Sequence, residues 1–305
     1  MNADPVAPSF SFEIFERIKP DEYFRRFIEE NVRPDGRSLH AFRPTSIRQG
    51  AISTANGSAM VRIGGTTVIC GIKAEVAEPR IDRPKDGYLV PNVELAPICS
   101  ANFRPGPPSE QAQINAETIN HVMETDTVHQ YRCQILDLSE LCIEEGKAVW
   151  TLYADIVCIN YDGNILDASL LALICALKDL SLPKATVLPS SIVQADSSEK
   201  TRPLQLHRLP VSSTFCVFSN PKVTLSDPND SEESLSKEIV SIILDTEGTI
   251  LYVHKSGGSV CDPEMMKDCF TKARARANIG WNYHVIYLWH ETAANHKVTI
   301  EGHDT

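Results

Sequence analysis

The sequence predicts an α+β fold built of two sheet-and-helix units packed together. Three observations carry that expectation. Strand-like segments followed by a helix occupy residues 58–177, and the same order returns over residues 213–277. A stretch rich in proline and small polar residues, 181–208, separates the two runs and marks a domain boundary. The helix opened by "YDGNILDASLLALICAL" (161–177) is apolar on most sides, which calls for a layer on each flank.

The chain has 305 residues, 42% of them apolar, enough for a substantial core in one large or two ordinary domains. Its formal net charge of −11 argues against a protein wrapped in nucleic acid on all sides, though a local basic path remains compatible with it. Nine cysteines, at 70, 99, 133, 142, 158, 175, 216, 261 and 269, form no C-x-x-C pair. Several lie inside apolar runs, so they are expected to be core thiols of a reducing compartment. No His and Cys cluster has zinc spacing. The start lacks a basic, then apolar leader, and no segment is apolar for the ~20 residues of a membrane helix. A soluble protein of the cytosol or nucleus is expected.

Residues 1–19 are expected to form a loose tail. "KPDEYFRRFIEEN" then reads as a helix, with Pro20 at its start, acids in its first turn and Tyr23, Phe24, Phe27 and Ile28 as one stripe. "RPDGR" (33–37) breaks it with turn-forming residues. "SAMVRIGGTTVICGIKAEV" reads as a hairpin about Gly64 and Gly65, and "GYLVPNVELAPICS" as a third extended run. "SEQAQINAETINHVMETDTV" is helical in pattern, with Ile114, Ile119 and Val122 as core contacts. "AVWTLYADIVCINYD" reads as a strand pair or one long strand. In the second half "STFCVF", "KVTLSD", "EIVSIILD" and "TILYVHKS" read as strands, the last two joined by the turn "DTEG". "CDPEMMKDCFTKARARA" reads as a helix capped by Asp262 with Pro263 at its first position. The boundaries are therefore tail 1–19, first domain 20–180, linker 181–208, second domain 209–277 and an atypical tail 278–305. That last segment crowds Trp281, Tyr283, Tyr287 and Trp289 without a clear period. A divergent terminus, a packed tail and a wrongly translated exon all fit it.

Taken in order, "RPDGR", "GSAMVRIGGTTVICGIKAEV", "VPNVELAPICS", "FRPGPP", "EEGKAVW" and "YDGNILDASLLALICAL" resemble the RNase PH family, specifically exosome ring subunits of the non-catalytic class. The resemblance runs from about residue 21 to about residue 277. It implies an RNase PH-like fold. The family reaction it implies is phosphorolysis, in which inorganic phosphate attacks the last phosphodiester of an RNA 3′ end. That chemistry needs phosphate-binding donors at a helix start, an acid or metal at the leaving oxygen, and basic residues along the RNA path.

Each requirement is weakened in this chain. Active members resemble one another in a glycine-glycine-threonine-arginine run where Gly163, Asn164, Ile165 and Leu166 stand here. Ile165 and Leu166 cannot bond an anion, and Asp167 would repel one. Asp167 is expected instead to serve the helix as a cap or first-turn acid. Two aspartates six apart in active members correspond to Asp227 and Glu233. On chemistry alone such a pair can hold Mg²⁺, but "DPNDSEE" is also an ordinary solvated acidic turn, and no metal is assigned. The substrate arginine pair would fall at Ser109, Glu110, Gln111, Ala112 and Gln113, none of them basic. Asn164, Ile165, Leu166, Asp227 and Glu233 are thus degenerate positions, with no catalytic residue and no cofactor expected. Arg104, Lys73, Arg80 and Arg83, with Lys85 nearby, are the candidates for RNA contact, weighed against plain surface charge.

The resemblance implies a non-catalytic subunit supporting 3′-to-5′ RNA processing and turnover in the nucleus, nucleolus and cytoplasm. Its partners would be other RNase PH-type exosome subunits in a six-membered hetero-oligomeric ring, S1/KH-type cap subunits, and RNA in the central channel, with no membrane. The alternatives are an active phosphate-dependent exoribonuclease using Asp227 and Glu233, and an adaptor that selects transcripts.

Overall fold

The computed structural model describes residues 12–124, 135–188, 193–200, 204–219, 222–258 and 262–280. Part of the segment expected to be a loose tail is helical: α1 spans Phe12–Ile18, with Phe12, Phe15 and Ile18 at helical spacing. It leads into α2, Pro20–Glu29, which begins with Pro20 and the first-turn acids Asp21 and Glu22 and buries Phe24 and Ile28. Asn31 then takes a left-handed conformation (φ 56°) and ends the helix.

The first sheet has six strands: β1 (Thr45–Gln49), β2 (Gly57–Ile63), β3 (Thr66–Ala77), β4 (Tyr88–Glu94), β5 (Cys142–Glu144) and β6 (Ala148–Asn160). Their order is β1-β2-β3-β6-β4, with β5 also paired to β6. β2 and β3 form the hairpin expected about Gly64 and Gly65, with Ile63 opposite Thr66. β6 is one long strand, antiparallel to β3 and parallel to β4. Alternation is clear in β3, where Val68, Cys70 and Ile72 point to the core. Between β4 and β5 lies α3, Glu110–Glu124. Ile119 and Val122 are buried as expected, but Ile114 is 40% exposed, because it sits on the other side of the helix.

α4, Ile165–Asp179, is the central helix, and twelve of its residues are buried. It packs on β2 and β3. The approach is close enough that a Cβ at Gly57 would meet the Ala176 carbonyl at 2.6 Å, which explains glycine at that position. The stretch expected to be a linker carries a two-stranded antiparallel hairpin, β7 (Pro183–Val187) with β8 (Val193–Lys200).

The second sheet contains β9 (Val211–Ser219), β10 (Lys222–Ser226), β11 (Glu238–Leu244) and β12 (Ile250–Gly257), ordered β10-β9-β11-β12 and antiparallel throughout. A short helix, α5 (Asp230–Leu235), joins β10 to β11. The "DTEG" turn closes with a 3.0 Å bond from Gly248 N to Asp245 O. α6, Pro263–Gly280, lays Met265, Cys269, Ala273 and Ala277 against Phe215, Val217, Val240, Ile242 and Leu244. Asp262 caps it, accepting from Glu264 N at 3.1 Å. β9 also contacts α4, so that helix lies between the two sheets as its all-round apolarity requires. The fold is α+β. The expectations for residues 281–305 lie outside the described residues.

Of the described cysteines, Cys70, Cys99, Cys158, Cys175, Cys216 and Cys269 are buried, Cys142 is partly so, and all are free thiols. Among the described residues no helix is long and apolar enough to cross a membrane.

Candidate functional site

The site forms where β6 runs into α4. Gly163 (φ +71°) and Asn164 (φ 53°) turn the chain, and the Thr66 hydroxyl of β3 pins them, donating to Gly163 O at 2.6 Å and accepting from Asp162 N at 3.1 Å. The turn is enclosed on its far side. A Cβ at Gly163 would lie 2.5 Å from the Asn229 carbonyl carbon and 2.7 Å from Pro228 O. The acidic segment before α5 therefore sits directly on the start of α4.

That contact overturns the expectation of a solvated acidic turn. Asp227 and Glu232 are each 0% exposed. The reason lies 184 to 199 residues upstream in the chain, in arginines that a reading of "RPDGR" as a plain turn leaves out. Arg33 is fully buried and grips Glu232 with two bonds, Nε to Oε1 at 2.8 Å and Nη2 to Oε2 at 2.6 Å. Arg43 grips Asp227 in the same way, at 3.0 Å from Nε and 2.9 Å from Nη2, and its backbone N–H adds a third bond at 2.7 Å. Such paired, charge-assisted forks are what permit burial of carboxylates. Burial opposes ionisation of Asp227. The Arg43 bonds and charge, with Arg276 and Asn164, outweigh it and hold the carboxyl down to about 2. α5 opens with a capping box between Asn229 and Glu232, so Glu232 serves the cap and the ion pair together.

The structure brings Asn164, Asp227 and Glu233 together. The Asn164 amide donates to Asp227 Oδ1 at 2.6 Å, and its backbone N–H donates to Glu233 Oε1 at 2.7 Å. The other oxygen of Glu233 accepts from the Tyr161 hydroxyl at 2.7 Å. Gln111 of α3 reaches Tyr161 at 3.3 Å. One of the five residues standing at the expected arginine positions thus enters the site, without a charge. Ile165 and Leu166 do not join the cluster, since both are buried in the main apolar core.

Asp167 is the first-turn acid of α4, not its N-cap, and its oxygens are taken by side chains. Oδ1 accepts from the hydroxyls of Ser212 (2.7 Å) and Thr214 (2.8 Å) on β9, and Oδ2 from Arg276 (2.6 Å) and the Asn164 amide (3.0 Å). It joins the central helix to the second sheet and to α6. The N-cap position is Asn164, whose side chain is turned away to the carboxylates. The Arg276 guanidinium also lies over the Phe42 ring at 4.0 Å, a cation–π contact.

The oxygens of Asp227 and Glu233 already accept these protein donors. Among the described residues, no group of three or more His, Cys, Asp or Glu is placed to hold a metal ion. The basic candidates separate in space. Arg104 is exposed on the loop before α3, next to Phe103, whose ring packs edge-on against Tyr161 at 5.2 Å. Lys73 lies seven residues along β3 from Thr66, about 23 Å at ~3.3 Å per residue. Arg80, Arg83 and Lys85 follow beyond the end of β3. Arg80 lies over Tyr88 at 5.4 Å, Arg83 is 4.0 Å from Asp86, and Lys85 is 3.3 Å from Glu145.

Residues 41–183 match domain 1 of the 3′ exoribonuclease family, RNase PH, and residues 208–276 match its domain 2. The chain belongs to the RNase PH family. It is 41% identical over 268 residues to the exosome complex component rrp43 of Schizosaccharomyces pombe, covering 88% of this chain and 96% of that protein. It is 38% identical over 230 residues to the exosome complex component Rrp42 of Methanothermobacter thermautotrophicus, covering 75% and 81%. Among solved structures, a chain of the Archaeoglobus fulgidus exosome with RNA bound to the active site superposes with a TM-score of 0.72 at 32% identity, covering 87% of this chain and 96% of that one. Within the RNase PH fold, the arginines that meet these carboxylates, 33, 37, 43 and 276, are residues that sequence reasoning missed. The signal was present: Arg33 and Arg37 flank the quoted turn, and buried arginines need acidic partners such as those of "DPNDSEE".

Proposed function

We propose that this RNase PH-fold chain is a non-catalytic subunit of an exosome ring. It supports 3′-to-5′ RNA processing and turnover by completing the ring and lining its RNA channel. Its partners are other RNase PH-type subunits, S1/KH-type cap subunits and RNA, in the nucleus, nucleolus and cytoplasm. The relatives named above support the ring assignment.

One observation carries the non-catalytic part. The start of α4, where a phosphate would have to sit for phosphorolysis, is occupied by the chain's own groups. Glu233 takes the Asn164 N–H, Asp227 is spent on Arg43 and Asn164, and Ile165 and Leu166 are turned into the core. An entering anion would meet several carboxylates here.

The test has two parts. A pull-down of the full chain should recover RNase PH-type partners, and labelled RNA with phosphate and Mg²⁺ should yield no nucleoside diphosphate from the purified chain. Phosphate-dependent release that disappears in the Asp227→Asn variant would overturn the non-catalytic reading. A stable monomer that recovers no such partner would overturn the ring.

A further inference from the structure

β1 lies at one edge of the first sheet, with β2 beside it. In β2, Ala59, Val61 and Ile63 are buried on the side that packs on α4, so Met60 and Arg62 face the other way. The register sets Ser46 of β1 opposite Arg62 and Arg48 opposite Met60. Arg48 and Arg62 therefore share the outer face on diagonal positions, about 7–8 Å apart. Both are exposed. Among the described residues neither has an acidic partner, and Arg62 Nε donates to the backbone, at 2.9 Å from Gly64 O. We propose that Arg48 and Arg62 are a phosphate-binding pair that holds the backbone of single-stranded RNA on the outer face of the first sheet.

The chain carries 40 acidic residues and a net charge of −11, so two neighbouring cations without a carboxylate stand apart in it. Side by side they repel each other. Their register neighbours on the face are Ser46, Met60 and Thr67, none of them acidic. Lys73 offers a contrast on the same face. Glu75 follows it two residues along β3, and Asp155 of β6 sits diagonally across from it. A charge on β1 alone would be explained as protection of a sheet edge. Arg62 stands on an interior strand, where that reason does not apply. The register neighbours also include no large exposed apolar side chain, so the pair offers charge without the anchor of a protein interface. That suits a phosphate backbone. The pair also leads towards the site. The Gly64–Gly65 hairpin that Arg62 touches rests on Asp162, where a Cβ at Gly65 would lie 2.5 Å from Oδ2. The proposal rests on the proposed function for RNA as the ligand and is independent of the ring.

Binding of the purified full chain to a short fluorescein-labelled oligouridylate, followed by anisotropy across a range of salt concentrations, tests this. On a single strand each phosphate contact contributes about −0.7 to the slope of log affinity against log salt. Arg48→Gln and Arg62→Gln should each flatten that slope by about 0.7 and weaken binding about fivefold at ~0.1 M salt, and the double variant about 25-fold. Arg48→Lys with Arg62→Lys keeps both charges and should keep the slope. Arg25→Gln removes an exposed cation paired to Glu29 and should bind as the wild type does, which controls for net charge. Unchanged circular dichroism and thermal midpoint in the glutamine variants report that they have folded. Glutamine variants with the wild-type slope overturn the proposal, as does a wild-type chain that binds no RNA or an equal loss in Arg25→Gln. Loss of protein partners from the glutamine variants with RNA binding intact makes this face a protein contact and overturns it too. Recovery of RNase PH-type partners by the wild type is read separately and reports on the ring whatever the RNA result.

Discussion

Replacing Arg33 by methionine is expected to destabilise the protein by about 3–5 kcal/mol. Arg33 and Glu232 are fully buried, with no exposed side-chain surface on either partner. Methionine keeps much of the volume and apolar stem of Arg33 but removes both bonds to the Glu232 carboxylate and the 2.8 Å bond to Ser226 O. The nearest other cation, Arg37, is 3.9 Å from Glu232 and already bonded to Asp35, so it substitutes poorly. What remains is a carboxylate inside the protein without its main counter-charge, which is the costly half of a broken pair. Guanidinium unfolding followed by circular dichroism measures the loss. Arg33→Met with Glu232→Leu removes both charges. The double variant should recover about 2 kcal/mol relative to Arg33→Met, short of full recovery because Glu232 also accepts the Asn229 N–H of the capping box. A loss under about 1 kcal/mol for Arg33→Met, the range of an exposed pair, would refute the view that these charges are buried and mutually required.

Two further outcomes follow from the same geometry. Gly163→Ala places a Cβ within 2.5–2.8 Å of the backbone at residues 228–230, at a residue with φ +71°. Backbone cannot swing aside as a side chain can, so a loss of at least about 2 kcal/mol is expected, read as a fall in thermal midpoint. Asp227 is held down to about 2 against an ordinary 3.8, so its contribution is present above pH 3.8 and lost as the pH falls towards 2. It amounts to about 2 kcal/mol by the usual conversion. Acid unfolding of Asp227→Asn should be correspondingly shallower across that window, and an unchanged profile would disprove it.

Patterned segments are legible in the amino-acid order itself. The β2–β3 hairpin, the four strands of the second sheet, α2 with its proline and α6 with its proline and Asp262 cap all follow from local chemistry. So does the burial of α4, whose apolar residues leave no polar face for water. Segments without a strong pattern are not legible in this way: β1, β5, the β7–β8 hairpin and α5 are short or polar, and partners distant in sequence stabilise them. The expectation of a solvated "DPNDSEE" fails for the same reason. Six polar residues around a proline look solvated unless their counter-charges are known, and those counter-charges lie in residues 33–43.

By itself the sequence determined the fold class, the family, and the apolar character of residues 165 and 166, because these depend on residue types and their order. Tertiary structure alone decided what the remaining polar residues do. Asp167, the first-turn acid of α4, ties that helix to β9 and α6, Asp227 is a buried partner of Arg43, and Glu233 closes the turn that opens α4. The physical reason is that a carboxylate's role depends on which donors surround it and on how much water is excluded. Both are properties of residues brought together in space from opposite ends of the chain.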